Sequence, residues 1–312
     1  MSKLKFGVDI GGTTVKIGAF SVNGELLDKW EIPTIKENEG LRIFDDVSAS
    51  IIEYLSKKGL GADACEGIGI GVPGAVDPNG NLVGGAVNLG LKPLNIPAKM
   101  NEKFGCKVVA GNDANVAALG EAVAGGAKGK KNVVMVTLGT GVGGGIICGG
   151  RLLVGATGGA GELGHVHVED NETEKCNCGL KGCLEFYTSA TGITRLANRR
   201  LAKDSAPSVL RGAEISAKTV FDAVKEKDAV ACEIAEQFGR YLAKGLGIAA
   251  CMVNPEVFVI GGGVSKAGDI LLDYVRPYFK EYAFPACSNA EFAIATLGND
   301  AGIYGAYGLL ED

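Results

Sequence analysis

Long apolar runs are missing from this chain. No stretch approaches the ~18 residues of a membrane-spanning helix, so no membrane contact is expected. The opening MSKLKFGVDIGG shows no apolar h-region with a cleavage site and reads straight into a strand, so no secretory leader is expected either. A basic excess is also missing: 31 Lys and Arg stand against 36 Asp and Glu, a net charge of -5. The one basic cluster, KGKK at Lys128–Lys131, is too short for a nucleic-acid-binding patch. The sequence GxxxxGK(S/T) does not occur, which argues against a P-loop enzyme. No low-complexity linker divides the chain, and its glycines follow no collagen period.

What is present is an ordinary globular balance, 46% hydrophobic and 21% charged, with a large excess of one residue. Glycine occupies 49 of 312 positions, about twice the usual ~7%. These glycines are expected at tight turns and where the backbone meets a ligand. The length exceeds what one core usually fills, ~250–300 residues, and predicts two domains. Nine cysteines, an odd number, include six scattered ones such as Cys106 and Cys251 in apolar surroundings, the pattern of reduced thiols in a cytoplasmic protein.

Along the chain, strands are predicted at Phe6–Ile10, Val15–Phe20 and Leu26–Ile32, joined as hairpins. The first turn carries DIGGTT, from Asp9 through Gly11, Gly12 and Thr13 to Thr14. It reads equally as a plain glycine turn or as an anion cradle of backbone N–H groups and hydroxyls, with Lys16 adding charge. Leu41–Lys57 has helical apolar spacing. Strands follow at Gly67–Val72 and Val108–Ala110. The second runs into Asn112, Asp113 and a helix over about 114–124. Here NDAN reads either as an N-cap or as a carboxylate aimed into a crevice at a strand end. A strand at Val133–Leu138 leads to Gly139-Thr140-Gly141 and a further strand at Gly145–Cys148. This repeats the strand, Gly-Thr turn and strand of the N-terminus and points to a duplicated architecture. Helices are predicted at Ser189–Leu201, Ser216–Lys227 and Asp228–Met252. A third glycine junction, Gly261-Gly262-Gly263-Val264, joins the strand Val257–Ile260 to a helix from about Gly268, a setting suited to a nucleotide. A strand at Phe292–Thr296 and a helix at Ala301–Leu310 close the chain.

One stretch, Gly158–Glu185, holds both histidines, His165 and His167, and three cysteines, Cys176, Cys178 and Cys183. One imidazole and three thiolates supply the four ligands of a tetrahedral Zn²⁺ site, so a structural zinc pinning this loop is favoured over three unrelated thiols. Glu162 and Glu185 flank the ligands. His167 lies two residues beyond His165 and would share its face in a strand. It is expected to face solvent or pack, with replacement of His165 as the ligand the alternative.

Together these segments resemble the ROK family of bacterial sugar kinases and repressors, over essentially the whole chain. DIGGTT and LGTGVGGG (Leu138–Gly145) look like its two phosphate motifs and GGGVS (Gly261–Ser265) its adenosine motif. GELGH and CNCGLKGCLE look like its zinc signature, the most specific of these matches. The resemblance implies an α/β, actin-like (ribonuclease H-like) ATPase fold, two duplicated α/β domains around a central cleft. The smaller would hold residues 1–113 and 300–312, and the larger 114–299 with the zinc loop. It implies ATP-dependent phosphorylation of a hexose at the 6-hydroxyl, glucose first, with N-acetylmannosamine, N-acetylglucosamine, allose or fructose as alternatives. Asp113 would be the general base. Gly74, Asn112, Glu162, His165 and Glu185 would contact the sugar. Asp9, near Mg²⁺, would act with Gly11, Gly12, Thr13, Thr14, Lys16, Gly139, Thr140, Gly141, Gly261, Gly262, Gly263 and Val264 around ATP. His165, Cys176, Cys178 and Cys183 would hold Zn²⁺. A homodimer is the family expectation. The family's repressors carry an added N-terminal DNA-binding domain, which is not expected here because the phosphate motif begins at Asp9, and a nucleotide switch without catalysis fits poorly with Asp113.

Overall fold

The computed structural model describes residues 3–311. The chain opens as the predicted antiparallel meander, β1 (Leu4–Ile10), β2 (Thr14–Ser21) and β3 (Leu26–Pro33), with Asp9 opposite Lys16. α1 (Arg42–Lys57) buries Ile43, Phe44, Val47, Ile51 and Leu55, the apolar face its spacing offers. After β4 (Cys65–Val72) come the short strands β5 (Asn81–Leu82) and β6 (Leu94–Asn95). α2 (Ile96–Phe104) lies where the periodicity predicts nothing. Its signals are local: the Asn95 side chain accepts from the Ala98 N–H, Pro97 sits in the first turn, and left-handed Gly105 ends it. β7 (Lys107–Asn112) and α3 (Asp113–Val123) follow.

Next come β8 (Val133–Leu138), β9 (Val142–Cys148) and β10 (Arg151–Leu152). β9 starts three residues before the predicted strand, so the glycine turn shortens to Gly139–Gly141. Gly145 of this strand has a packing reason: a Cβ there would collide with Ala118 of α3. α4 (Glu185–Thr188), α5 (Ala190–Lys203), α6 (Ala217–Lys225) and α7 (Ala229–Val253) form the helical stretch. Ser189, Ser216 and Asp228 accept from backbone N–H groups at the starts of α5, α6 and α7. β11 (Val257–Gly261) does not feed a helix directly. A 3₁₀ turn at Val264–Ala267 and left-handed Gly268 intervene before α8 (Ile270–Tyr282). β12 (Glu291–Ile294) and α9 (Ala301–Gly308) complete the order.

The chain divides into two compact units, Met1–Gly129 with Gly145–Gly161 and Leu297–Asp312, and Lys130–Gly144 with Glu162–Thr296. One five-stranded sheet has the order β3-β2-β1-β4-β7 and the other β10-β9-β8-β11-β12. Each begins as an antiparallel meander. β1, β4 and β7 are parallel, as are β8, β11 and β12. The order repeats strand for strand, as the two Gly-Thr turns anticipate. The contact grouping differs from a boundary at residue 113: α3 stays with the first unit because it packs on α9, with backbones so close that a Cβ on Gly120 or Gly305 would strike the other helix.

Those glycines also revise the meaning of the glycine excess. A Cβ on Gly7 of β1 would meet the Ile303 carbonyl, and one on Gly69 of β4 the Ala306 carbonyl. In the second unit, Gly239 and Gly247 of α7 admit Tyr274 and Tyr282 of α8 in the same way. Part of the excess therefore serves close packing of helices, beside the many glycines with positive φ that sit at turns as expected.

Candidate functional site

In the first unit, parallel pairing brings three strand ends together. Asp9 of β1 is level with Gly71 of β4, and Gly71 with Gly111 of β7. Beyond them lie the Gly11–Thr13 turn, Gly74, and the Asn112–Asp113 junction. Ends of parallel strands are where α/β sheets keep their ligands. The first turn is closed by Gly11 N–H to Thr14 O at 3.0 Å, and pinned by the Thr34 hydroxyl to Gly11 O at 2.8 Å and Thr34 N–H to Thr13 O at 2.9 Å. Gly12 and Thr13 are exposed and Gly11 and Thr14 half-buried. Lys16 donates from Nζ to the Asn299 carbonyl at 3.0 Å, so in this structure it ties β2 to the segment before α9.

At the β7–α3 junction the capping reading of NDAN holds at Asn112. Asn112 is the N-cap: its Oδ1 accepts from Ala114 N–H at 3.0 Å and Asn115 N–H at 3.1 Å. Its Nδ2 donates to Gly74 O at 3.0 Å. Gly74 has φ +105°, and a Cβ there would approach the Gly85 carbonyl to 2.8 Å, so only glycine fits this turn. Asp113 accepts from Ala114 N–H at 2.9 Å and keeps an exposed side chain. Surrounding protein nonetheless raises its carboxyl above the usual range, against the opposing backbone hydrogen bonds. Asp9 is raised further, to about 6: burial is the main cause, the Asp113 charge adds to it, and Lys16 opposes it. A half-buried carboxylate within the field of an exposed one forms a natural place for a cation and a proton acceptor.

In the second unit, the turn Gly139–Gly141 follows β8 and the turn Gly261–Gly263 follows β11, its parallel neighbour. The two turns touch, since a Cβ on Gly262 would stand 2.5 Å from Leu138 O. α5 docks its first residues on the hairpin: Ala190 N–H donates to Gly139 O at 2.8 Å and the Thr191 hydroxyl to Thr140 O at 3.0 Å. Beside Gly263 and Val264 opens a cavity of about 340 Å³, with Ala217 and Phe221 of α6 and Ala267 as apolar walls and Lys218, Lys225 and Lys266 around them. This size suits a small planar ligand. The sequence shows no sign of the α6 contribution, because an amphipathic helix looks the same whichever cavity its face lines.

His165, Cys176, Cys178 and Cys183 converge, with their ligand atoms all within 4.8 Å of one another. The Cys178 and Cys183 sulfurs are 3.6 Å apart, close to the ~3.8 Å edge of a tetrahedron with 2.3 Å zinc–sulfur bonds. The His165 Nδ1 is buried with no hydrogen-bond partner, as expected of a nitrogen that needs a ligand. The residues therefore fit a zinc ion. His167 is elsewhere: Leu163–His165 is a 3₁₀ turn, not a strand, so the two imidazoles do not share a face. His167 instead hydrogen-bonds the Lys181 carbonyl at 3.0 Å and Asp170 at 2.9 Å.

Glu185 links this cluster to the hairpin. Its Oε1 accepts from the Cys176 thiol at 3.4 Å and its Oε2 from Val142 N–H at 2.8 Å. The loop before Cys176 is anchored by residues that carry no sequence motif. Buried Glu172 accepts from the Tyr187 hydroxyl at 2.7 Å and from Arg199 at 2.8 and 3.1 Å. The Arg199 bonds are the main reason its carboxyl is held down at about 2. Tyr241 of α7 stacks on Tyr187 with ring centroids 3.9 Å apart and bonds Glu169 at 3.1 Å.

The sequence pattern of the ROK family matches residues 5–312. The chain belongs to the ROK family. Among ROK relatives, the glucokinase of Halalkalibacterium halodurans is 42% identical over 304 residues, covering 96% of this chain and 92% of its own. The crystal structure of the ROK hexokinase from Thermus thermophilus superposes with a TM-score of 0.82 at 30% identity, covering 99% of this chain and 98% of the other. The ROK glucokinase from Streptomyces griseus, solved with glucose and AMPPNP, gives a TM-score of 0.72 at 34% identity, covering 98% of each chain. The fold of this ROK protein is accordingly the actin-like α/β ATPase fold expected from its two repeated sheets.

Proposed function

We propose that this ROK protein is an ATP-dependent hexokinase that phosphorylates glucose at the 6-hydroxyl. The observation that carries this reading is the likeness to glucokinases over nearly the full length of both chains. The residue roles rest on the geometry. An alcohol attacks phosphorus only if its proton has a destination. Asp113 supplies one: Asn112 performs the capping, and the Asp113 side chain stays exposed. The 6-hydroxyl gives its proton to this carboxylate as its oxygen bonds the γ-phosphorus and ADP leaves.

We assign Asn112, Gly74, Glu162, His165 and Glu185 to the sugar hydroxyls, the turns Gly11–Thr14 and Gly139–Gly141 to the phosphates, and Gly261–Val264 with the α6 cavity to the adenosine. Asp9 would face Mg²⁺, whose charge neutralises the phosphates and relieves a buried carboxylate. His165, Cys176, Cys178 and Cys183 would hold a structural Zn²⁺ that fixes the loop. A thiolate ligand has no proton to give, so with zinc in place Glu185 Oε1 is left to accept from a sugar hydroxyl instead. We further assign a homodimer, to be read by light scattering, and the cytoplasm, where nine free thiols are at home. No helix among the described residues is long and apolar enough to cross a membrane.

A coupled assay across hexoses tests the function. Glucose should give the highest kcat/KM. A higher value for N-acetylmannosamine, N-acetylglucosamine, allose or fructose would reassign the substrate, and ATP turnover without a phosphorylated sugar would refute the reading.

A further inference from the structure

Two cysteines outside the metal cluster lie side by side in the first unit. Cys65 is the first residue of β4, and Cys106 stands between Gly105, which ends α2, and Lys107, which begins β7. β4 and β7 are parallel neighbours, in register from Gly67 opposite Lys107. Both thiols are thereby delivered to the same end of adjacent strands, and their Sγ atoms are 3.5 Å apart. Closing that gap to the ~2.05 Å of a disulfide asks for a movement of about 1.5 Å, within reach of small side-chain rotations. Cys65 is buried and Cys106 half-buried, so a small reagent reaches Cys106 first. The contact also divides the pair electrostatically. Their mutual hydrogen bond, with burial added, pushes the Cys65 thiol up, while the same bond pulls Cys106 down, so Cys106 is the first to ionise.

We propose that Cys65 and Cys106 are a thiol–disulfide exchange site that takes a low-molecular-weight disulfide as oxidant and closes to a reversible Cys65–Cys106 disulfide. The Cys106 thiolate attacks one sulfur of the small disulfide RSSR, forms a mixed disulfide and expels RS⁻, which takes up a proton. Cys65 then loses its proton and attacks the Cys106 sulfur, expelling the second RS⁻. Two protein thiols are oxidised and RSSR is reduced to two RSH, with every proton accounted for. The new bond ties β4 to β7 at the ends remote from Gly74 and Asn112, whose strands run in register as far as Val72 opposite Asn112. It involves neither the metal ligands nor Asp113. A transient bond of this kind is the form disulfides usually take in a reducing compartment.

The test uses the full chain, purified under reducing conditions and equilibrated with glutathione and glutathione disulfide at rising ratios. After acid quenching and alkylation, peptide mass spectrometry maps the thiols. The expected product is a linked pair of peptides containing Cys65 and Cys106, two hydrogens lighter than their sum and restored to two alkylated thiols by dithiothreitol. In Cys65→Ser, oxidation should stop at a glutathione adduct on Cys106. The proposal is overturned if both thiols of the natural chain stay alkylatable at the most oxidising ratio. A persistent glutathione adduct on its Cys106, or a link from either cysteine to a third one, would overturn it equally.

Discussion

Asp113 and Asp9 carry different burdens although both are carboxylates at strand ends. Asp113 keeps an exposed side chain, while Asn112 performs the capping. Asp113→Asn should therefore leave the helix start and sugar affinity intact while lowering kcat by about 10²–10⁴-fold, the usual worth of a general base. Near-normal turnover in a single-turnover assay would remove Asp113 from that role. Asp9, raised to about 6 mainly by burial, destabilises the ligand-free chain once ionised. Its folded pKa lies above the unfolded one, so its favourable contribution is complete below about pH 4 and is lost as pH rises through about 6. Asp9→Asn should accordingly stabilise the ligand-free protein at pH 7.5 by roughly 2–3 kcal/mol in urea titration, with the gain fading toward pH 4. Activity should fall in the same variant, because the proposed magnesium contact is gone. A stability gain that does not change with pH would place the effect elsewhere.

At the scale of elements, the loop from Glu162 to Glu185 is the part on which most else leans. Zinc analysis should find about one metal per chain, the content of one four-ligand site. Cys178→Ser should lower zinc content and sugar affinity together, and unchanged affinity would separate the metal from the sugar site. Glu172→Gln removes the charge that Arg199 and Tyr187 both grip. Arg199 is partly exposed, which limits the cost to about 1–2 kcal/mol, and the measurable sign should be faster zinc loss to a chelator. The cluster of His165, Cys176, Cys178 and Cys183 was legible in the sequence because an imidazole and three thiols, enough for one tetrahedral shell, fall within a single short loop. Glu172, Tyr187, Arg199 and Tyr241 were not legible, since a buried ion pair and a tyrosine stack have no spacing of their own. α2 was hidden for the opposite reason: its start and stop are marked by Asn95, Pro97 and Gly105, while its short apolar pattern is weak. The strand–glycine–helix reading at Gly261 missed the intervening 3₁₀ turn because glycine-rich sequence fixes where the chain bends, not how it leaves the bend.

For the whole molecule, the repeated sheet order was readable from two Gly-Thr hairpins, but the packing that completes the first sheet was not. α9 lies on glycines of β1 and β4 and crosses α3 at glycines on both helices. Turn chemistry and ligand approach, the two usual reasons for glycine, explain none of these. Gly69→Ala should therefore be severe: its methyl would enter the Ala306 carbonyl, and relief requires α9 to shift. A loss of about 3 kcal/mol, or failure to fold, is expected from an overpacked core position with no flexible neighbour. A soluble variant with natural urea stability would show instead that the helix moves freely and that the close approach is not required.

The position of α9 also sets an order of events on the ribosome. Every residue grouped with the second unit, Lys130–Gly144 and Glu162–Thr296, is synthesised before Leu297, whereas the first unit waits for Leu297–Asp312. The strands β1 and β4 thus remain without the helix that covers Gly7 and Gly69 until α9 has been made. A chain released after residue 296 would hold every residue of the second unit, while the sheet of the first unit still lacked α9.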